Sequence, residues 1–180
     1  EEIKNNMPYK FLEVYGAEAD DIIAVLCAES SDEVMILSGD KDFIQLQKYP
    51  NVKQYSPITK KMINGFNPDD YLKEHVLKGD TSDGVPNVLS PDNSFVDGIR
   101  QKPLSKKKIA AMVDGNFPND EVKRNYQRNK TLIDLGCVPD ELRTEILVTY
   151  KDAPENSRSK LLNYFIKQRL KTLTESIGEF

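Results

Sequence analysis

Residues 34–38 read VMILS and run straight into GDKD. Five mostly apolar residues are the length of a strand. An unbroken run of this kind predicts a strand covered on both faces, as in a parallel sheet. The run leads into two carboxylates, Asp40 and Asp42. In open parallel sheets, ligands gather beyond the carboxyl ends of the strands. One short segment therefore constrains the fold and points to a candidate site.

The surrounding signals fit that start. KFLEVY at residues 10–15 is aromatic and β-branched and predicts a further strand. Residues 18–30 predict a helix, with acids in its first turn and Ile22, Ile23, Val25 and Leu26 on an apolar face. GDKDFIQLQ predicts a turn entering a short helix. Residues 52–56 and 60–63 read as paired strands turning near Pro57. From Asn67 the pattern becomes helical. Asn67 is a candidate cap with Pro68 at the first helical position. A loop rich in Asp, Gly, Pro, Asn and Ser covers residues 79–98. Further helices are expected at 105–113 (capped by Ser105), 120–135, 139–151 and 157–173. The expected class is α/β, part of a parallel sheet followed by a helical region. The opening EEIKNNMPY reads as the end of a helix and a turn, which predicts that a further part precedes it.

Composition narrows the function. The longest apolar run, IIAVLCA at residues 22–28, is too short to span a bilayer, and no basic-then-apolar leader opens the sequence. Cys27 and Cys137 are distant and form no C-x-x-C pair, which argues against a disulfide scaffold or zinc ribbon. A reducing cytoplasm is the expected compartment, without a membrane partner. A single histidine, His75, leaves little for histidine-based chemistry and is assigned no role. The net charge of −4 is unevenly spread. Residues 1–98 hold 18 acids and 9 bases, whereas residues 99–180 hold 11 acids and 16 bases. An acidic half joined to a basic half suits a metal-dependent enzyme acting on a polyanion. Random placement on a solvated surface is the plainer alternative.

Six carboxylates fall in three clusters: Glu18 and Asp20, Asp40 and Asp42, and Asp80 and Asp83. Each cluster alone has an ordinary explanation, namely helix-dipole complementation, a turn, or a loop cap. Together they describe oxygen ligands with almost no His or Cys, which favours Mg²⁺ or Mn²⁺ over Zn²⁺. Two such ions activate water and stabilise a leaving oxygen in phosphodiester hydrolysis. Lys106, Lys107 and Lys108 open a helix, where the dipole disfavours cations, so a contact with phosphate is the better reason for them. Arg124 and Arg128 are candidate phosphate contacts too, or part of a solvated mixed face. Tyr126, Tyr164 and Phe165 lie among bases and read more readily as core than as stacking platforms.

EADD, SGDKDF and LKGDTSDGVP, in that order, resemble the 5′ nuclease family of flap endonucleases and 5′→3′ exonucleases. MPY, KYPNVKQYSP, LIDL and the ending YFIKQRLKTLTESIGEF are similar to its phage ribonuclease H branch. The resemblance implies a metal-dependent nuclease that removes RNA primers and adjacent DNA from lagging-strand fragments. By motif, Glu18, Asp20 and Asp40 would face a first ion, and Asp42, Asp80 and Asp83 a second. Catalysis would centre on Asp20, Asp40 and Asp42, with Asp21 a weaker match. Residues 71–113 would form a helix–three-turn–helix grip on duplex phosphates. The implied domains are 1–66, the C-terminal half of the nuclease core without its first strands, and 67–180, a helical duplex-binding region. The implied partners are duplex, nicked or flap DNA and RNA–DNA hybrid, with a sliding clamp and a single-strand-binding protein, acted on by a monomer. Gly84 stands where most of the family has Asn. Because the family's first Asp-bearing strands are not among these residues, this chain alone is expected to be inactive. The alternatives are a non-catalytic DNA-binding fragment with an incomplete metal site and a small single-strand ribonuclease.

Overall fold

The computed structural model describes residues 2–154 and 158–179. In chain order the elements are α1 (Glu2–Asn6), α2 (Ala19–Glu29), β1 (Val34–Leu37), a 3₁₀ helix (Asp42–Lys48), β2 (Val52–Ser56), β3 (Lys61–Ile63), α3 (Pro68–Lys78), α4 (Lys106–Met112), α5 (Asp120–Ile133), α6 (Asp140–Asp152), α7 (Leu161–Lys167) and α8 (Lys171–Glu175). Short 3₁₀ turns lie at Leu135–Cys137, Arg158–Lys160 and Ile177–Glu179. The architecture is mixed α/β, dominated by helix, with one three-stranded sheet. The chain divides into two compact units. One is residues 19–139, and the other combines residues 1–18 with 140–180.

In the larger unit the sheet order is β1-β2-β3. β1 pairs parallel with β2, in register Val34 to Val52, and β2 turns antiparallel into β3. Ala24 and Cys27 of α2, Ile36, Val52, and Phe43 and Leu46 of the 3₁₀ helix form one buried cluster. That cluster covers one face of β1 only. Met35 and Leu37 point the other way and remain 46% and 68% exposed. The expectation of a strand buried on both faces is therefore corrected. β1 is an edge strand that obeys the two-residue alternation, and among the described residues no layer covers its second face.

The helical part of this unit follows its caps. The Asn67 side chain accepts from the N–H groups of Asp69 and Asp70, each at 3.1 Å. Ser105 accepts from Lys108, and Asn119 from Val122. Leu77, Val88, Ile109, Met112 and Val122 bring α3, α4, α5 and the intervening loop around one apolar cluster. Tyr126 packs there against Phe117, with ring centroids 4.8 Å apart, which confirms it as core.

Residues 80–104 contain no helix, so their backbone must be satisfied in other ways. Two fully buried asparagines one helical turn apart on α5 do much of this. Asn125 Nδ2 donates to the carbonyls of Val88 and Ser90, and Asn129 Nδ2 donates to those of Val76 and Pro86. Gly79 ends α3 at φ 72°, and its N–H donates to the His75 carbonyl. A Cβ there would lie 2.4 Å from the Val85 oxygen and 2.6 Å from the Pro86 carbonyl carbon.

In the smaller unit, Val14, Ile146, Leu161 and Phe165 are buried. Two expectations are corrected here. Residues 10–15 form no strand. Their only deeply buried side chain is Val14, Tyr15 is 96% exposed, and no ladder partner exists among the described residues. Strand propensity expresses packing against cross-strand neighbours, and among the described residues no strand flanks this segment. The single helix expected at 157–173 is broken. Arg169 adopts a left-handed φ of 56°, and the Leu170 N–H donates back to the Phe165 carbonyl. This is a helix-ending turn made without glycine, so the sequence gives no warning of it. Ser157 lies outside the described residues.

Gly79→Ala combines left-handed backbone with a collision against main-chain atoms. It should cost about 2 kcal/mol or more, read as a lower urea midpoint. An unchanged midpoint would show that the turn can relax.

Candidate metal centre

The centre assembles within the larger unit, beyond the carboxyl end of β1. The chain leaves the strand at Leu37 and must be held there without a ladder. Gln54, fully buried on β2, does this. Its Nε2 donates to the carbonyls of Ser38 and Asp40, and its Oε1 accepts from Gln47. The Asp40 Oδ1 then accepts from the Asp42 N–H at 3.1 Å, which starts the 3₁₀ helix. Asp40 and Asp42 thus sit on a short segment pinned from the neighbouring strand. Asp20 comes from the first turn of α2. Carboxylate oxygens of Asp20, Asp40 and Asp42 all lie within 4.8 Å of one another.

A second group shares Asp42. Ligand atoms of Asp42, His75 and Asp80 also lie within 4.8 Å of one another. Asp80 directly follows the Gly79 turn. Its Oδ1 accepts from the Ser82 N–H at 2.8 Å, from the Ser82 hydroxyl and from the Asp83 N–H. Burial opposes ionisation of Asp80, yet the Ser82 hydroxyl and N–H, then His75, hold its carboxyl below the usual range. Asp42 moves the other way, from 3.8 to about 6. Burial is the main cause. Asp40, Asp80 and Asp83 add repulsion, and His75 partly offsets it. Burial, then the charges of Asp42, Asp40, Asp80 and Glu74, raise the Tyr71 phenol. A pocket that pushes a carboxylate towards neutrality is one that a cation would relieve.

The six sequence-predicted ligands are placed unequally. Asp20, Asp40, Asp42 and Asp80 form the two groups. Asp83 is exposed and acts on Asp42 through its charge. Glu18 lies just before α2, in the smaller unit. The residue missed is His75. Its ring stands between Asp42 and Asp80, with Nδ1 3.5 Å from Asp42 Oδ1 and Nε2 3.0 Å from Asp80 Oδ2. Its five-residue spacing from Asp80 across a glycine was the available signal. A test of fit comes from the same ring. Nδ1 is buried without a hydrogen-bond partner and faces an acceptor. The donor set therefore suits a divalent cation.

Among the basic candidates, Lys106 and Lys107 are exposed on α4, while Lys108 Nζ donates to the Pro103 carbonyl at 3.2 Å. Arg124 and Arg128 both bind Asp92, and Arg128 also donates to the Pro86 carbonyl and to Asn129. They brace the 86–92 loop against α5.

The Asp42 shift has a definite sign. A carboxyl that titrates higher folded than unfolded contributes stability that is present below about pH 4 and lost as pH rises through about 6. Asp42→Asn should remove that loss. Without metal, the variant's advantage in urea unfolding should grow between pH 4 and pH 7. Mg²⁺ or Mn²⁺ should raise the parent's melting temperature more at pH 7 than at pH 5. A pH-independent difference between variant and parent would contradict the electrostatic account.

A family model described as T4 RNase H, C terminal, matches residues 68–180, and one described as 5'-3' exonuclease, N-terminal resolvase-like domain, matches residues 1–76. Ribonuclease H of Enterobacteria phage T4 is 36% identical over 195 residues, covering 100% of this chain and 63% of that protein. The 5'-3' exonuclease of Buchnera aphidicola (subsp. Schizaphis graminum) is 36% identical over 89 residues, covering 44% of this chain and 31% of its own. DNA polymerase I of Bacillus subtilis is 25% identical over 179 residues, covering 90% of this chain and 20% of its own. The chain thus spans less than two thirds of the length of each of these relatives. With the T4 RNase H model matching more than half of its residues, the chain belongs to the T4 RNase H family of 5′ nucleases.

Proposed function

We propose that this chain carries the larger part of a metal-dependent 5′→3′ exonuclease and flap endonuclease that removes RNA primers and adjacent DNA during lagging-strand replication. The observation that carries the reading is the pair of ligand groups sharing Asp42 at the end of β1, in a chain whose relatives are nucleases.

In this reading Asp20 and Asp40, with Glu18 added on resemblance alone, hold one ion. Asp42, Asp80 and Asp83 hold the other. The ions are Mg²⁺ or Mn²⁺, and when bound they supply an activated water and charge compensation for the leaving oxygen. The protein's part is positional. Gln54 fixes the Asp40 carbonyl, Ser82 fixes the Asp80 carboxylate, and the Gly79 turn sets where Asp80 leaves α3. Residues 1–66 serve as nuclease core and residues 67–180 as a helical duplex-binding region. Within the latter, α3, the following loop and α4 form a helix–three-turn–helix grip. Lys106, Lys107 and Lys108 contact phosphates without reading sequence. Arg124 and Arg128 contribute mainly by holding the adjoining loop, and reach phosphate only where Asp92 releases them.

The substrates are nicked, flapped or plain duplex DNA and RNA–DNA hybrid, handled by a monomer in the cytoplasm. A sliding clamp and a single-strand-binding protein suit that task. Because the chain covers 63% of phage T4 Ribonuclease H, turnover is assigned to the protein at its natural length. These 180 residues alone are expected to bind duplex without cleaving it.

In the protein at natural length, Asp40→Asn or Asp42→Asn should abolish cleavage of a 5′ flap and leave duplex affinity within about threefold. Full cleavage by both variants would sink the site assignment. Replacing Lys106, Lys107 and Lys108 together by Ala should lower the slope of log affinity against log salt by up to about 3. An unchanged slope removes them from the interface. Cleavage by the 180 residues alone would show that the site needs no further ligands.

A further inference from the structure

The chain has one histidine, and it stands inside the centre. His75 projects from α3 with its side chain 13% exposed. The Tyr71 ring meets it edge-on at 5.8 Å, and Phe66 meets Tyr71 in the same way at 5.9 Å. The imidazole is therefore held in place by packing as well as by its polar contacts.

Those polar contacts are incomplete. A neutral imidazole has one nitrogen that donates and one that accepts. Here both nitrogens face ionisable carboxylates, at 3.0 Å and 3.5 Å. An ionised carboxylate only accepts. Whichever tautomer forms, one contact sets lone pair against lone pair. Nδ1 is the one left buried and unpartnered, and 3.5 Å is long for a hydrogen bond. A proton held between the ring and Asp42 would satisfy that contact, and so would a metal ion.

The surroundings favour the ion. Ligand atoms of Asp42, His75 and Asp80 converge within 4.8 Å, and Asp42 also belongs to the Asp20–Asp40 group. One proton would leave most of that negative charge uncompensated.

We propose that His75 supplies a nitrogen ligand beside Asp42 and Asp80, and that this mixed site selects Mn²⁺ over Mg²⁺. The proposal deepens the two-ion reading and rests on it. Mg²⁺ prefers oxygen donors and gives up its own water reluctantly, so an imidazole adds little to its binding. First-row transition dications accept imidazole nitrogen, and among them Mn²⁺ also suits carboxylate oxygen. A site of two carboxylates and one imidazole therefore separates the two ions that carboxylates alone would treat alike.

The single histidine makes the test unambiguous. The 180-residue chain is prepared with ¹⁵N-histidine and with natural histidine, loaded with Mn²⁺, and measured by pulsed electron paramagnetic resonance. Nitrogen coupling that changes frequency on labelling is expected, because no other imidazole exists in the chain. Calorimetric titration should show Mn²⁺ affinity falling roughly 10–100-fold in His75→Leu, with Mg²⁺ affinity shifting less than about threefold. The spectrum of the parent chain decides the matter even if that variant folds poorly. Mn²⁺ bound without nitrogen coupling would overturn the proposal and leave the two-ion reading intact. Equal losses for both ions would make His75 a structural residue only. No binding of either ion by the parent chain would remove the proposal and count against a carboxylate metal centre in these residues.

Discussion

Backbone that is neither helix nor strand still has to hydrogen-bond, and in the larger unit buried side-chain amides meet that demand. Gln54 holds the carbonyls of Ser38 and Asp40. Gln45 donates to the Ile133 carbonyl and accepts from the Leu135 N–H. Asn125 and Asn129 hold four carbonyls around the segment after α3. Each amide is at most 1% exposed, so each lost bond would leave a buried acceptor at a cost of about 1–3 kcal/mol. The acidic groups depend on these amides. Asp40 and Asp80 lie on loops, and loops have precise positions only when something fixes them.

That fixing is what allows like charges to crowd. Without a rigid frame, Asp40, Asp42 and Asp80 would move apart into solvent. Held as they are, Asp40 and Asp80 add to the burial that raises the Asp42 carboxyl, and His75 stands between Asp42 and Asp80. Such crowding of carboxylates is the arrangement that a preformed cation site would have. Hydrogen bonds from Ser82 and His75 hold the Asp80 carboxyl low despite its burial, whereas burial, reinforced by the neighbouring acids, raises that of Asp42.

Much of this was legible in the sequence. The strand expected at 34–38, the turn into a short helix within GDKDFIQLQ, the Asn67 and Ser105 caps and the paired strands follow from run length, turn residues and capping chemistry. The motifs carrying Asp20, Asp40, Asp42 and Asp80 pointed to a shared site through their resemblance to a family rather than through these local rules. What was not legible depends on tertiary partners. The exposure of Met35 and Leu37 follows from what covers β1, and the missing strand at 10–15 from the lack of a neighbour. Arg169 ends a helix without the glycine that would announce it. Gln54 hid within a strand pattern, although it falls on the inward alternation with Val52 and Ser56. His75 was passed over because one histidine cannot make a histidine site, and its importance lies in the carboxylates around it.

The asparagine pair on α5 also bears on how the molecule ages. Spontaneous hydrolysis of an Asn amide replaces two donors with an acceptor-only carboxylate. At a solvated position this merely adds a charge. At Asn125 or Asn129 it would set a buried anion against two carbonyl oxygens, so the lesion would be registered as local unfolding of the segment that carries Asp80. The helix that encloses both residues restricts the backbone motion such hydrolysis needs. Chemical durability and the position of Asp80 are in this way secured by the same turn of helix.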